Sequence, residues 1–289
     1  MRLTVGDKAP AFTLPDTDGT LVSLAPAEQA ATVVVFTANG CPYARAWHDR
    51  IQDVARDYAD RGVVVLQIIS NDETGAPQDT AAVMAARVAG GELAGPFLRD
   101  AAQSTARAYG ATATPEVFVI DRAGSVRYHG APDADYDDPA QNASYVRQAL
   151  ESVLTGSDVT RPITSPAGCS IKWRVELLWW AGCPSHEQAA ELLRAVLAEA
   201  GRTEVHVAER EVHTPEPGFP GSPTFHVGGA DLYADDSPPA LGCRVYTRPD
   251  GRFSPLPDRD DLAARLREAL ARPWDLPHWV DHRKERKTA

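Results

Sequence analysis

The sequence predicts an α/β protein made of two domains in tandem, each a central mixed β-sheet flanked by helices. Three observations carry this. The chain's 289 residues are about twice the ~150 of a typical domain. Twice, a strand-like run leads into Gly-Cys-Pro and then into a helical pattern, at Thr37-Ala38-Asn39-Gly40-Cys41-Pro42-Tyr43-Ala44 and at Trp179-Trp180-Ala181-Gly182-Cys183-Pro184-Ser185-His186. In each half a second strand and then a proline-led strand follow in the same order, at Thr114-Pro115 and at Ser222-Pro223.

The elements of the first half follow from local pattern. Ala9 to Pro15 and the Asp18-Gly19 turn lie between short β-type runs and predict an opening hairpin. Val33-Val34-Val35-Phe36 is a continuous β-branched and aromatic run, which suits a central strand covered on both faces. From Pro42 onward Trp47, Ile51, Val54 and Tyr58 form one helical stripe, closed by Arg61-Gly62. Val63 to Ile69 is a second buried strand, completing a βαβ unit. Residues 71–110 have the character of an insertion, with a polar loop, a helix over Thr80 to Ala89 and a short helix over Ser104 to Tyr109. Strands at Glu116 to Asp121 and Ser125 to Tyr128 form a hairpin about Ala123-Gly124, and a helix over Gln141 to Thr155 ends the domain.

A Gly, Ser, Thr and Pro-rich stretch at 156–171 predicts a linker, although it contains Cys169. Beyond it come a strand at 174–180 and a helix with the stripe Ala189, Leu192, Leu193, Val196 and Ala200, stopped by Gly201. Ser185 with Gln188 fits a capping box. A strand over Glu204 to Val212, the strand after Pro223, the segment Leu241-Gly242-Cys243-Arg244-Val245-Tyr246 and a helix over Asp260 to Ala271 complete the half. The expected domains are 1–171 and 172–275, followed by a polar tail at 276–289.

Composition removes several function classes. A formal charge of −11 argues against a nucleic-acid partner, which would call for basic patches. The one basic cluster, His282 to Lys287, is expected to be a solvated tail. Neither an apolar signal-peptide core nor a run of ~18 apolar residues is visible, so the expectation is a cytoplasmic protein with no membrane partner. In a reducing compartment four cysteines at unequal spacing point to reactive thiols or metal ligands rather than a structural disulfide framework.

These residues resemble the thioredoxin superfamily. The first half is similar to AhpC/TSA and TlpA-like redoxins through Gly6-Asp7-Lys8-Ala9-Pro10-Ala11-Phe12-Thr13-Leu14, Gly40-Cys41-Pro42-Tyr43, Tyr109-Gly110, Thr114-Pro115 and Gly168-Cys169-Ser170-Ile171-Lys172-Trp173. The second half resembles short thioredoxin-like proteins, some labelled alkylmercury lyase homologues, through Gly182 to His186, Gly218 to Thr224 and Cys243-Arg244-Val245-Tyr246. The resemblance implies cis peptides before Pro115 and Pro223, each facing a cysteine and leaving the backbone of Thr114 or Ser222 free to hold an extended thiol substrate. The chain also departs from its relatives. Where a thioredoxin has its second cysteine, Ala44 and His186 stand, so neither site can close a disulfide within its own motif. Ala38 replaces the Thr or Ser of a typical peroxiredoxin, and Thr114-Pro115 stands where its Arg would be, which counts against ordinary peroxidase activity.

The chemistry follows from the thiols. A cysteine at a helix N-terminus can have its pKa lowered from about 8.5 into the range ~3.5–7.5, and Pro42 and Pro184 suit a first helical turn. Cys41 and Cys183 are therefore the expected attacking thiols. Each then needs a partner to resolve a mixed disulfide or a sulfenic acid, and the candidates are Cys169 for Cys41 and Cys243 for Cys183. Since Cys169 lies in the connector shortly before Cys183, the sequence suggests a relay in which one domain reduces the other. The bland alternative for each cysteine is a small buried hydrophobe. His186 can stabilise the Cys183 thiolate or be a solvated first-turn histidine, while Trp179 and Trp180 are expected to pack. Asp133, Asp135, Asp137 and Asp138 are expected to form a solvated acidic turn rather than a calcium loop.

The expected function is thiol–disulfide oxidoreductase or peroxiredoxin-like reductase, with Thr114, Pro115, Ser222 and Pro223 completing the two sites and no cofactor. Its substrate would be a small thiol, disulfide or peroxide, or a protein thiol, and its reductant a thioredoxin or a low-molecular-weight thiol. An alternative of a different class is a soft-metal or organomercurial protein using Cys183 and Cys243, with His186 and His226 as further ligands. In a third, one domain has lost catalysis and only binds a partner.

Overall fold

The computed structural model describes residues 3–203 and 205–270. The chain divides into two compact units, one running to Ile171 and the other from Lys172 to Ala271. The polar tail at 276–289 and the basic cluster within it lie outside the described residues.

The first unit opens on an antiparallel hairpin, β1 (Thr13–Pro15) and β2 (Leu21–Ser23), with Gly19 at positive φ in its turn. Next come β3 (Ala31–Thr37), α1 (Pro42–Ala46), α2 (His48–Ala59) and β4 (Val63–Ile69). The insertion supplies α3 (Ala81–Ala89), β5 (Phe97–Arg99) and α4 (Ser104–Tyr109), and the chain continues through β6 (Ala113–Thr114), β7 (Glu116–Asp121), β8 (Val126–Gly130), α5 (Ser144–Thr155) and β9 (Cys169–Ser170). The main sheet has the order β5-β4-β3-β7-β8, with β3, β4 and β5 parallel, β7 antiparallel to β3, and β8 antiparallel to β7. Strand β3 is buried along nearly its whole length, as its unbroken apolar run requires. Because successive side chains alternate across the sheet, Val33 and Val35 join the core formed with α2 and α5, while Phe36 packs edge-on against Tyr109 and Phe118.

Four features differ from the sequence expectation. The helix after Cys41 is interrupted at Trp47, whose indole N–H donates to the buried Asp133 at 2.7 Å. The insertion contributes a strand, β5, to the main sheet. Helix α5 starts at Ser144 rather than Gln141, because Ala143 adopts positive φ and gives its N–H to Asp133 at 2.8 Å. The stretch expected to be a linker is built into the unit: it runs beside β8 through the His129 N–H to Pro162 (3.0 Å) and the Thr164 N–H to His129 (3.0 Å), then forms β9 against β6.

The second unit has β10 (Val175–Trp179), α6 (His186–Glu199), β11 (Val207–Glu211), β12 (Thr224–Val227), β13 (Ala230–Asp231), the ribbon β14 (Tyr246–Thr247) with β15 (Phe253–Ser254), and α7 (Arg259–Ala269). Its sheet has the order β11-β10-β12-β13, with β10 parallel to β11 and antiparallel to β12. Leu177, Leu193, Val196, Phe225 and Leu262 are at the heart of its core. The capping box does not form: Ser185 occupies the N-cap of α6 but its side chain accepts no backbone N–H there. Helix α7 is capped by Asp258, which takes the N–H groups of Asp260 and Asp261. No helix among the described residues is long and apolar enough to cross a membrane.

Candidate active site

Cys41 lies at the N-cap of α1, with Pro42 at the first helical position, where no intrahelical N–H bond is lost. It is 4% exposed and packs with Ala38 and Ala44, while Tyr43 and Cys169 close over the group. The protonated thiol can donate to the Thr114 carbonyl, 2.9 Å away. The ionised form is favoured more strongly. A hydrogen bond from the Cys169 side chain is the largest influence, joined by the Thr114 side chain and the N–H groups of Ala44 and Cys169. Burial opposes ionisation, yet the balance draws the Cys41 pKa from 9.0 down to about 6.

Cys169 reaches Cys41 because β9 pairs antiparallel with β6, setting Thr114 opposite Cys169 and Ala113 opposite Ser170. The Ile171 N–H continues the ladder to the Thr112 carbonyl at 3.1 Å. Gly168 permits this approach, since a Cβ there would overlap the Thr114 carbonyl. The peptide between Thr114 and Pro115 is cis. The backbone of Thr114, expected to be free for a substrate, is thus covered by a cysteine-bearing strand of the same chain.

Three buried carboxylates, none marked as part of the site by the sequence, hold this arrangement. Glu116 follows the cis-proline and accepts the N–H groups of Thr112 (2.7 Å) and Ala113 (3.0 Å), while its other oxygen meets His129 Nε2 at 2.5 Å. Asp79, from the insertion, accepts the Asn39 N–H at 2.6 Å and the Asn71 amide at 2.6 Å, so it grips the loop two residues before Cys41. Burial raises its pKa, against the lowering effect of those hydrogen bonds. Arg87 of α3 adds a bond to the Asn39 side chain at 2.6 Å. Asp133, expected in a solvated acidic turn, is instead fully buried and binds both Trp47 and Arg50, at 2.7 and 3.1 Å. The sequence signal for Glu116 was present: a charged residue heading a continuous apolar strand must find partners inside.

The second unit repeats part of this layout. The Ser222–Pro223 peptide is cis, and Cys243 is bridged to Ser222. Both main-chain groups of Ser222 are taken: its N–H donates to Gly242 O and its carbonyl accepts from the Arg244 N–H, each at 2.8 Å. Arg244 is itself fixed by Asp231 at 2.7 Å. Cys183 differs from Cys41. It lies in a turn, its N–H bonded to Trp180 O, two residues before the N-cap of α6. His186 does not attend it: its ring stacks on Trp179 at 3.9 Å and its Nε2 meets Glu209 at 2.7 Å. Trp180 packs with Leu178, Val212 and Phe219, as a packing role requires. The structure therefore brings Cys41 and Cys169 into contact, whereas Cys183 and Cys243 share no hydrogen bond among the described residues. His226 bonds the Gly218 carbonyl at 2.9 Å, and no group of three or more His, Cys, Asp or Glu able to hold a metal assembles among the described residues. The soft-metal site expected from Cys183, His186, Cys243 and His226 is not built.

Comparison with known proteins bears on the fold of the first unit. Residues 5–129 match the model of the AhpC/TSA family. A hypothetical protein from Sinorhizobium meliloti is similar at 36% identity, over 60% of this chain and 96% of its own, with a TM-score of 0.56. An uncharacterized conserved protein from Geobacillus kaustophilus is similar at 32% identity, over 60% of this chain and 93% of its own, with a TM-score of 0.57. The first unit belongs to the AhpC/TSA family, over residues 5–129. An AhpC/TSA redoxin is a thioredoxin-fold protein that works through thiols, and a cysteine with a lowered pKa at the N-cap beside a cis-proline is the group such chemistry needs. No curated protein matches the chain.

Proposed function

We propose that the first unit is a two-cysteine thiol reductase in which Cys41 attacks an oxidised substrate and Cys169 resolves the product. One observation carries the reading: Cys169, on the strand paired beside Thr114, packs against Cys41, so that the second thiol is in place for attack, and it is the first cause of the lowering of the Cys41 pKa to about 6. With a disulfide, the Cys41 thiolate attacks one sulfur, the S–S bond breaks and the first thiolate leaves. Cys169 then attacks Cys41 Sγ, expels the second thiolate and closes Cys41–Cys169. With a hydroperoxide, sulfur takes the distal oxygen as the O–O bond breaks, the alcohol leaves with a proton, and Cys169 displaces water from the sulfenic acid. Either way two electrons pass from the protein, and an external dithiol or pair of low-molecular-weight thiols restores both cysteines.

In the second unit we assign Cys243, which is bridged to Ser222 as Cys169 is paired with Thr114, as the thiol that would resolve Cys183. Turnover with dithiothreitol as reductant tests the reading for the first unit. Cys41→Ser should abolish its oxidation by hydrogen peroxide and by small disulfides. Before dithiothreitol is added, Cys169→Ser should still form the first adduct on Cys41, visible by mass, but fail to release the second thiolate. Unchanged oxidation in Cys41→Ser, or full release of the second thiolate by Cys169→Ser without dithiothreitol, contradicts the assignment.

A further inference from the structure

An extended polypeptide binds a sheet edge by main-chain hydrogen bonds, and the edge must be open to receive it. Beside Cys41 the main chain that could serve as such an edge is the short strand β6, and β9 already pairs with it in a two-stranded ribbon, from the Thr114–Cys169 pair to the Ile171 N–H on Thr112 O. Beside Pro223 the corresponding main-chain groups of Ser222 are both consumed by the segment Gly242 to Arg244. In each unit the occupying segment carries a cysteine, Cys169 or Cys243.

Resting on the assignment of Cys41 and Cys169 above, we infer that β9 is a specificity element that stands in for a polypeptide substrate strand, so that Cys41 reduces low-molecular-weight oxidants and rejects disulfides of extended polypeptides. The exclusion is reinforced by what displacement would do. A polypeptide that pushed β9 aside would carry Cys169 away from Cys41 and remove the thiol that completes the reaction. A small oxidant needs only a route to the buried Cys41, a residue 4% exposed, and leaves β9 paired.

The test uses the full chain carrying Cys169→Ser, Cys183→Ser and Cys243→Ser, in which Cys41 is the single thiol and β9 keeps its backbone. Two probes share one leaving group: the nitrothiobenzoate mixed disulfide of mercaptoethanol, and that of an extended peptide of about ten residues with one central cysteine. Attack by Cys41 on the alkyl or peptide sulfur releases nitrothiobenzoate in both cases, and the retained group is read by mass. The expected result is release at least about tenfold faster with the small probe than with the peptide, a difference of ~1.4 kcal/mol. Adding Gly168→Ala, whose Cβ must push β9 off the Thr114 carbonyl, should narrow that ratio. A peptide that reacts as fast as the small probe overturns the inference while leaving Cys41 as the nucleophile, and this comparison stands even if the Gly168 variant does not fold. A ratio unchanged in a folded Gly168→Ala protein overturns the role of β9. Failure of both probes to label Cys41 overturns the site assignment itself.

Discussion

The Cys41 thiol is set by a contest between burial, which favours the neutral form, and four hydrogen-bond donors that favour the thiolate. The rate of iodoacetamide labelling of Cys41 should therefore rise through a midpoint at about pH 6. Cys169→Ala removes the largest donor and should move the midpoint up toward the ordinary thiol range, whereas Cys169→Ser, which retains a donor, should move it less; identical midpoints for the two variants would contradict this origin. The linkage has a definite sign. A thiol whose pKa is lower in the folded state than in the unfolded chain adds stability that is fully present above the unfolded value and is lost as pH falls through about 6. At Asp133 the burial is complete and the partners are Arg50 and Trp47. Asp133→Ala removes the ion-pair partner of Arg50, leaving its guanidinium on the carbonyls of Asp135, Tyr136 and Asp138, and should cost about 3–5 kcal/mol in urea unfolding; a loss below ~1 kcal/mol would show that the pair is solvated. Cys41 was legible because Gly-Cys-Pro between an apolar run and an amphipathic stripe is a local pattern. Asp133 was not, because one buried carboxylate among four acidic residues looks the same in sequence as a solvated one.

Among the elements, those specified by neighbouring residues could be read directly. The β3–α2–β4 unit, the β7–β8 hairpin and α6 follow from periodicity and turns. The elements that could not be read are those made by partners distant in sequence: β5 exists because it meets β4, and β9 because Gly168 lets the connector lie against β6. Both matter to the site. Without β9, Cys169 would be the tethered thiol of a flexible linker, as the Gly, Ser and Pro content suggests. The insertion is likewise no detachable loop, since Asp79 holds the Asn39 N–H. Asp79→Ala removes the carboxylate that accepts that N–H and the Asn71 amide and should cost about 1–3 kcal/mol. Denaturant midpoints measure it, and a neutral outcome would mean that the insertion does not brace the Cys41 loop.

Across the whole chain, two units place a cysteine next to the residue that precedes a cis-proline, by antiparallel pairing in one and by a parallel bridge in the other. The recurrence of Gly-Cys-Pro was evident in the sequence; the recurrence of the partner was not, because Cys169 and Cys243 come from segments with no common motif. Four cysteines permit three complete pairings. The most direct measurement is disulfide mapping by mass spectrometry after the reduced full-length protein is treated with one equivalent of hydrogen peroxide or a small disulfide. The result expected is a Cys41–Cys169 linkage, formed first and restored to thiols by dithiothreitol. A first linkage joining Cys41 to Cys183 or Cys243, or a Cys41 that stays unpaired while Cys169 remains a free thiol, would contradict the account.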